Sequence, residues 1–170
     1  TRSHTTGRVH DLSFRATTAL FGHLGIEWDL TAATAHELAE LREWVSFYKA
    51  NRGLLLGGDL RRLDFPDPNI IAHGIVAPDR SSAIYSVASI GQSEVMLPGR
   101  LRFPGLDPDR RYHIRPVLVG RPPSGLNPPP WWGAITREWE PSGERRALGW
   151  GPPAHRGAGL VFSGAALSST

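Results

Sequence analysis

Hydrophobic and polar positions change rhythm twice along this 170-residue chain. Leu12, Ala16, Ala19 and Leu20 recur at helical spacing, Asp11 can cap their start and Gly22 offers a stop, so the pattern predicts a helix over 12–21. Beyond a short turn, Ile26-Glu27-Trp28-Asp29-Leu30 alternates with period two, which predicts a strand with two unlike faces. Thr34 and Glu37 then stand at capping-box spacing. Leu38, Leu41, Val45 and Tyr48 follow as an apolar stripe, with Glu37, Glu40 and Glu43 away from its centre. Acids near the start and Lys49 and Arg52 near the end suit the helix dipole, and Gly53 supplies a stop. The expectation is one amphipathic helix from Ala35 to about Asn51.

After Gly57-Gly58 the rhythm becomes that of short strands. Candidates are Asp59–Leu63, Ile70–Val76, Ala83–Ile90, Glu94–Leu97 and Tyr112–Val119, separated by turns such as Ala77-Pro78-Asp79 and Leu106-Asp107-Pro108-Asp109. Many short strands with turn punctuation predict an antiparallel all-β domain, so a domain boundary is expected near residue 58. Gly120–Gly159 is rich in proline and tryptophan around Pro128-Pro129-Pro130-Trp131-Trp132 and reads as a long ordered excursion or a partly disordered insertion. Gly159–Leu167 is expected to return to the sheet as a last strand.

Composition narrows the function classes. The net charge of +3 and pI near 9.9 would suit an acidic partner. Yet Lys49 is the only lysine among nineteen basic residues, and the arginines never run beyond pairs such as Arg61-Arg62 and Arg110-Arg111, so there is no phosphate-binding stripe and nucleic acid is not an expected partner. The absence of cysteine excludes disulfides and thiolate metal sites. The seven histidines never fall into compact ligand spacing, so neither metal nor cofactor is expected. No apolar run approaches the roughly 20 residues a membrane helix needs, so no membrane partner is expected. The compartment stays open, with the cytoplasm favoured. Thr1-Arg2 in place of an initiator Met suggests a start that is processed, cloned or cut from something longer.

Glu27 and Asp29 are the acids best placed for chemistry. On a strand, residues i and i+2 share a face about 6.6 to 7 Å apart, near the roughly 5 to 9.5 Å separations of paired carboxylates in glycoside hydrolysis. The competing reading is that both acids form ion pairs inside a barrel, since any alternating strand supplies the same spacing.

Ser3-His4-Thr5-Thr6-Gly7-Arg8, Phe14-Arg15-Ala16, the run from Ala19 to Leu30 and Phe47-Tyr48-Lys49 resemble the end of the catalytic barrel in bacterial α-galactosidases of glycoside hydrolase family 36. Gly58-Asp59-Leu60-Arg61-Arg62-Leu63, and later Leu106-Asp107-Pro108 with Tyr112, resemble the start and middle of that family's C-terminal β-domain. The similarity covers about residues 1–118 and takes in Ser163-Gly164-Ala165-Ala166-Leu167; the proline- and tryptophan-rich stretch does not match.

The resemblance implies α/β plus all-β architecture. Residues 1–58 would be the last elements of a (β/α)8 barrel (seventh helix, eighth strand, eighth helix), and residues 59–170 an antiparallel, sandwich-like β-domain. It further implies retaining hydrolysis of terminal α-galactosides of the melibiose or raffinose type by two aspartates on earlier barrel strands. Neither aspartate has a counterpart here, so no catalytic residue is expected and the chain alone should be inactive. The substrate would be reached through an upstream barrel, and the parent enzyme could be a homo-oligomer.

Barrel sites form at the C-terminal ends of strands. On that ground His4, Arg8 and Asp29 are expected to support the substrate pocket, against the alternative of loop packing and ion pairs. A different class of function is a carbohydrate-binding β-module in which Trp131, Trp132, Trp139 and Trp150 form a stacking platform for sugar rings.

Overall fold

The structure is a computed structural model that describes residues 5–93, 101–117, 119, 137–139, 145–147 and 160–168. Helix α1 spans Leu12–Leu20, close to its predicted bounds. The Asp11 carbonyl accepts from the Arg15 amide at 3.3 Å, and Gly22 closes the far end by donating to the Ala19 carbonyl at 3.2 Å. Ala16 and Leu20, one turn apart, are its buried residues.

The strand predicted at Ile26–Leu30 does not form. A strand exists through the ladder a neighbour offers, and among the described residues no strand pairs with this segment. Local bonding takes over instead. Asp29 stays extended (φ −68°, ψ 96°) and its carboxylate caps a 3-10 turn at Leu30–Ala32.

Helix α2 spans Ala35–Gly57, longer than expected. The capping box forms as read: Glu37 N–H donates to Thr34 Oγ1 at 3.2 Å, while Glu37 Oε2 accepts from the Thr34 amide at 2.9 Å. Gly53 does not end the helix. A mid-helix glycine costs only about 1 kcal/mol, and the three leucines after it favour another turn, which buries Leu55. The buried face is also rotated from the predicted stripe. Its centre is Glu40, 8% exposed, and Trp44, 4% exposed, with Phe47 edge-on to Trp44 at 6.2 Å. Trp44 has the largest apolar area on the helix, and placing it inward carries Glu40, one turn earlier, in with it.

Strands β1 (Asp59–Leu63), β2 (Ile70–Val76) and β3 (Ala83–Ser89) form an antiparallel sheet in the order β1-β2-β3. The register sets Arg61 and Tyr85 on either side of Gly74, and Arg62 and Ser86 on either side of His73. Leu63, Ala72 and Val76 are buried on one face, Ile75 and Ser86 on the other. On the first face the Tyr85 ring lies over Gly74, donates its hydroxyl to the Pro104 carbonyl at 2.6 Å and meets Phe103 edge-on at 4.9 Å. Burial, and then the neighbouring Tyr112, raise the Tyr85 phenol above its ordinary range.

Side chains that bond to backbone hold the connections. Asp67, 1% exposed, accepts from the Asn69 amide at 2.9 Å and from the Ser93 hydroxyl at 2.5 Å. Asp79 accepts from both the amide and the hydroxyl of Ser81 in the β2–β3 turn, where Arg80 takes the left-handed φ of 57°. The Tyr112 hydroxyl joins two turns, donating to the Arg80 carbonyl at 2.6 Å and accepting from the Asp107 amide at 2.9 Å.

Tyr112 is the second residue of β4 (Arg111–Ile114), which is shorter than predicted. A hairpin of β5 (Arg137–Trp139) and β6 (Arg145–Ala147) falls inside the predicted excursion. Strand β7 (Leu160–Ser163) pairs with β4. Only the first half of the last predicted segment is therefore strand, since Gly164–Ser168 forms helix α3. Ser163 Oγ accepts from the Ala166 amide as its cap, and the Gly164 amide donates to the Arg110 carbonyl at 2.7 Å. The predicted strand Glu94–Leu97, Trp131, Trp132, Trp150 and the side chain of Trp139 lie outside the described residues.

The described residues group into two compact units. One is drawn from segments 1–18, 25–47 and 113–161, the other from 19–24, 48–112 and 162–170.

Candidate functional site

Of the expected site residues, Arg8 and Asp29 lie on two short loops of the first unit and act locally. His4 lies outside the described residues. Arg8, exposed in the lead-in to α1, donates its amide to Thr6 Oγ1 at 3.4 Å and accepts at its carbonyl from Arg15 Nη2 at 3.3 Å. Asp29 is exposed, and its Oδ1 accepts from the Thr31 hydroxyl at 2.6 Å and the Thr31 amide at 3.0 Å. Among the described residues no hydrogen bond or ion pair joins Arg8 to Asp29.

Electrostatics limit what these groups can do. Hydrogen bonding from the Thr31 side chain and then its amide holds the Asp29 carboxyl below its ordinary value. A general acid needs the opposite, a carboxyl raised towards the working pH. Asp29 is thus a fixed anion, fitted to accept hydrogen bonds or face a cation and unfitted to donate a proton. Nor do Glu27 and Asp29 form the pair that period-two spacing suggested. Both are exposed on a segment that is not a strand, so the geometry that would set them on one face is absent. Among the described residues no group of His, Asp and Glu could hold a metal ion, and no helix is long and apolar enough to cross a membrane.

Sequence reasoning missed Asp67 and the inward turn of Glu40. The run Asp64-Phe65-Pro66-Asp67-Pro68-Asn69 gives a weak signal for the first, since an acid two residues before an amide in a proline turn is suited to bond it. For Glu40 the signal was Trp44, four residues on.

The described residues form helices and small antiparallel sheets, and comparison with known proteins gives the class. Residues 1–58 match the melibiase family model, and residues 70–170 match the glycosyl hydrolase family 36 C-terminal domain. The chain belongs to glycosyl hydrolase family 36.

An α-galactosidase of Escherichia coli is 40% identical over 154 residues, which is 87% of this chain and 22% of that protein. α-Galactosidase AgaA of Geobacillus stearothermophilus is 35% identical over 119 residues, 69% of this chain and 16% of the relative. The chain thus spans about a fifth of the length of the curated relatives it matches. Among solved structures, the galactosidase domain of an α-galactosidase–sucrose kinase, AgaSK, superposes with a TM-score of 0.64 over 98% of this chain and 18% of its own, at 24% identity. That likeness is one of fold. A variant of the Geobacillus enzyme in complex with raffinose matches at 34% identity and a TM-score of 0.58, over 64% of this chain and 15% of its own.

Proposed function

We propose that this chain supplies the closing elements of the catalytic barrel and the C-terminal β-domain of a retaining α-galactosidase acting on terminal α-galactosides of the melibiose or raffinose type. The observation that carries this reading is the pair of family matches on either side of residue 58, together with 40% identity to the Escherichia coli α-galactosidase over 87% of the chain. In this reading residues 1–58 are barrel and residues 59–170 the β-domain. Helix α1, the segment 26–30 and helix α2 take the places of seventh helix, eighth strand and eighth helix. Segment 26–30 becomes a strand when strands on both sides complete its ladder.

Retaining hydrolysis needs a nucleophilic carboxylate and an acid/base carboxyl roughly 5 to 5.5 Å apart. Asp29, held as an anion by Thr31, is unsuited to the second role, and the family resemblance puts both aspartates on earlier barrel strands, so this chain alone has no turnover. Arg8 and His4 offer donors, and Asp29 an acceptor, to sugar hydroxyls at the mouth of the barrel.

Two measurements test the reading. This chain should release no phenol from an aryl α-galactoside, and measurable release would overturn the assignment of the acids to other strands. In a full-length enzyme containing this sequence, Arg8→Ala and Asp29→Ala should each lower kcat/KM. A lowered Tm at unchanged kcat/KM would show instead that both residues serve packing.

A further inference from the structure

The turn between α1 and the segment 26–30 is fastened to the β-sheet at one aromatic contact. Phe21 meets His73 of β2 edge-on, with ring centroids 4.4 Å apart and planes at 72°. One residue on, the Gly22 carbonyl takes a long hydrogen bond of 3.5 Å from the Tyr48 hydroxyl. Residues 19–24 and β2 belong to one compact unit, so this contact lies inside a single body.

The surroundings of His73 do not welcome a positive charge. Directly opposite on β1 stands Arg62, whose guanidinium is drawn towards Asp64 at 3.5 Å; opposite on β3 stands Ser86, buried and neutral. The packed turn contributes Phe21, with exposed His23 two residues further on, and α2 contributes Tyr48. Among these groups the only acid is Asp64, and it is already shared with Arg62.

We propose that His73 is a pH-sensitive latch: neutral, it fastens the turn 19–24 to the sheet through Phe21, and protonated, it releases that turn and the lead-in to the Ile26–Leu30 segment. The latch rests on the geometry above and stands whether or not the chain serves galactoside hydrolysis. Burial holds the imidazole below its ordinary value of 6.5. Because the docked state has the depressed value, the undocked state binds the proton first. Docking is therefore at full strength above 6.5 and weakens as the pH falls from there through the lower docked value.

Hydrogen–deuterium exchange of this chain, expressed as protection factors from about pH 7.5 to about pH 5, reads the latch directly. Protection of residues 19–24 should fall by up to about tenfold per pH unit as the pH drops below the ordinary imidazole value, while the amides of Ile75 and Val76 keep theirs. His73→Phe retains a ring against Phe21 and cannot titrate, so its protection should not vary with pH. Flat protection in the unmodified chain would overturn the proposal. So would the same pH dependence in His73→Phe, or loss of protection in β2 in step with the turn.

Discussion

Replacing Gly74 by Ala tests whether the tyrosine lying over β2 is held as tightly as its contacts suggest. A Cβ at residue 74 would stand 2.6 Å from Cε1 and 2.8 Å from Cγ of Tyr85, and nearer still to Cδ1. Carbon atoms prefer about 3.5 to 4.0 Å, so the ring must retreat by about 1 Å. It has little freedom to do so, because its hydroxyl is bonded to the Pro104 carbonyl at 2.6 Å and its edge meets Phe103. Overpacking costs about 1–3 kcal/mol, and the strained hydroxyl bond about 0.5–1.5 kcal/mol more. Against this, Ala is better than Gly in a strand by about 0.5–1 kcal/mol. The expected net loss is about 2 kcal/mol, read from urea unfolding followed by far-ultraviolet circular dichroism. In a Tyr85→Ala background the same substitution should be neutral or stabilising, a coupling of about 2–3 kcal/mol. In Tyr85→Phe, which gives up only the Pro104 bond, the cost should shrink by about 1 kcal/mol. Equal cost of Gly74→Ala in all three backgrounds would refute the reasoning.

Other expectations follow from single contacts. At Gly164 a side chain would run into the Asp107 backbone, so Gly164→Ala should lower Tm by an amount equivalent to at least about 2 kcal/mol and expose the β4–β7 amides to exchange. Tyr112→Phe removes the hydroxyl that joins the Arg80 and Asp107 turns and should cost about 1–2 kcal/mol in urea unfolding. Thr34→Ala should cost about 1 kcal/mol through the lost cap of α2. Bonds from the Thr34 amide and then its hydroxyl hold the Glu37 carboxyl below its ordinary value of 4.5. Its contribution is therefore present above 4.5 and lost as the pH falls through the lower folded value, a dependence that Glu37→Gln should abolish in Tm measured against pH.

Much of this protein was legible from residue order alone, where bonding is local. The capping box of α2 needs only Thr34 and Glu37, three apart, and it forms. Strands β1 and β2 keep their predicted bounds because turn residues punctuate them: Gly57-Gly58 before the first and Ala77-Pro78-Asp79 after the second. The family could be read from motifs in order, and the matches to residues 1–58 and 70–170 show it.

The misses share one cause, which is that they depend on neighbours distant in sequence. Alternation at Ile26–Leu30 cannot make a strand without a ladder partner, so Asp29 turns its carboxylate to Thr31 and the shared strand face weighed for Glu27 and Asp29 is not formed. Gly53 signals a stop, but burial of Leu55 carries α2 past it. Glu40 was placed away from the centre of the apolar stripe and Asp67 carried no reading, yet both are buried, Glu40 because Trp44 takes the inward face and Asp67 because a backbone amide and a serine hydroxyl stand where its carboxylate points. Sequence determined the segments whose structure rests on local bonding, such as α1, the start of α2, β1 and β2, and the family to which the chain belongs. Tertiary structure decided which face of each turned inward and which acids were enclosed, because burial and ladder bonding are properties of the partners a segment meets.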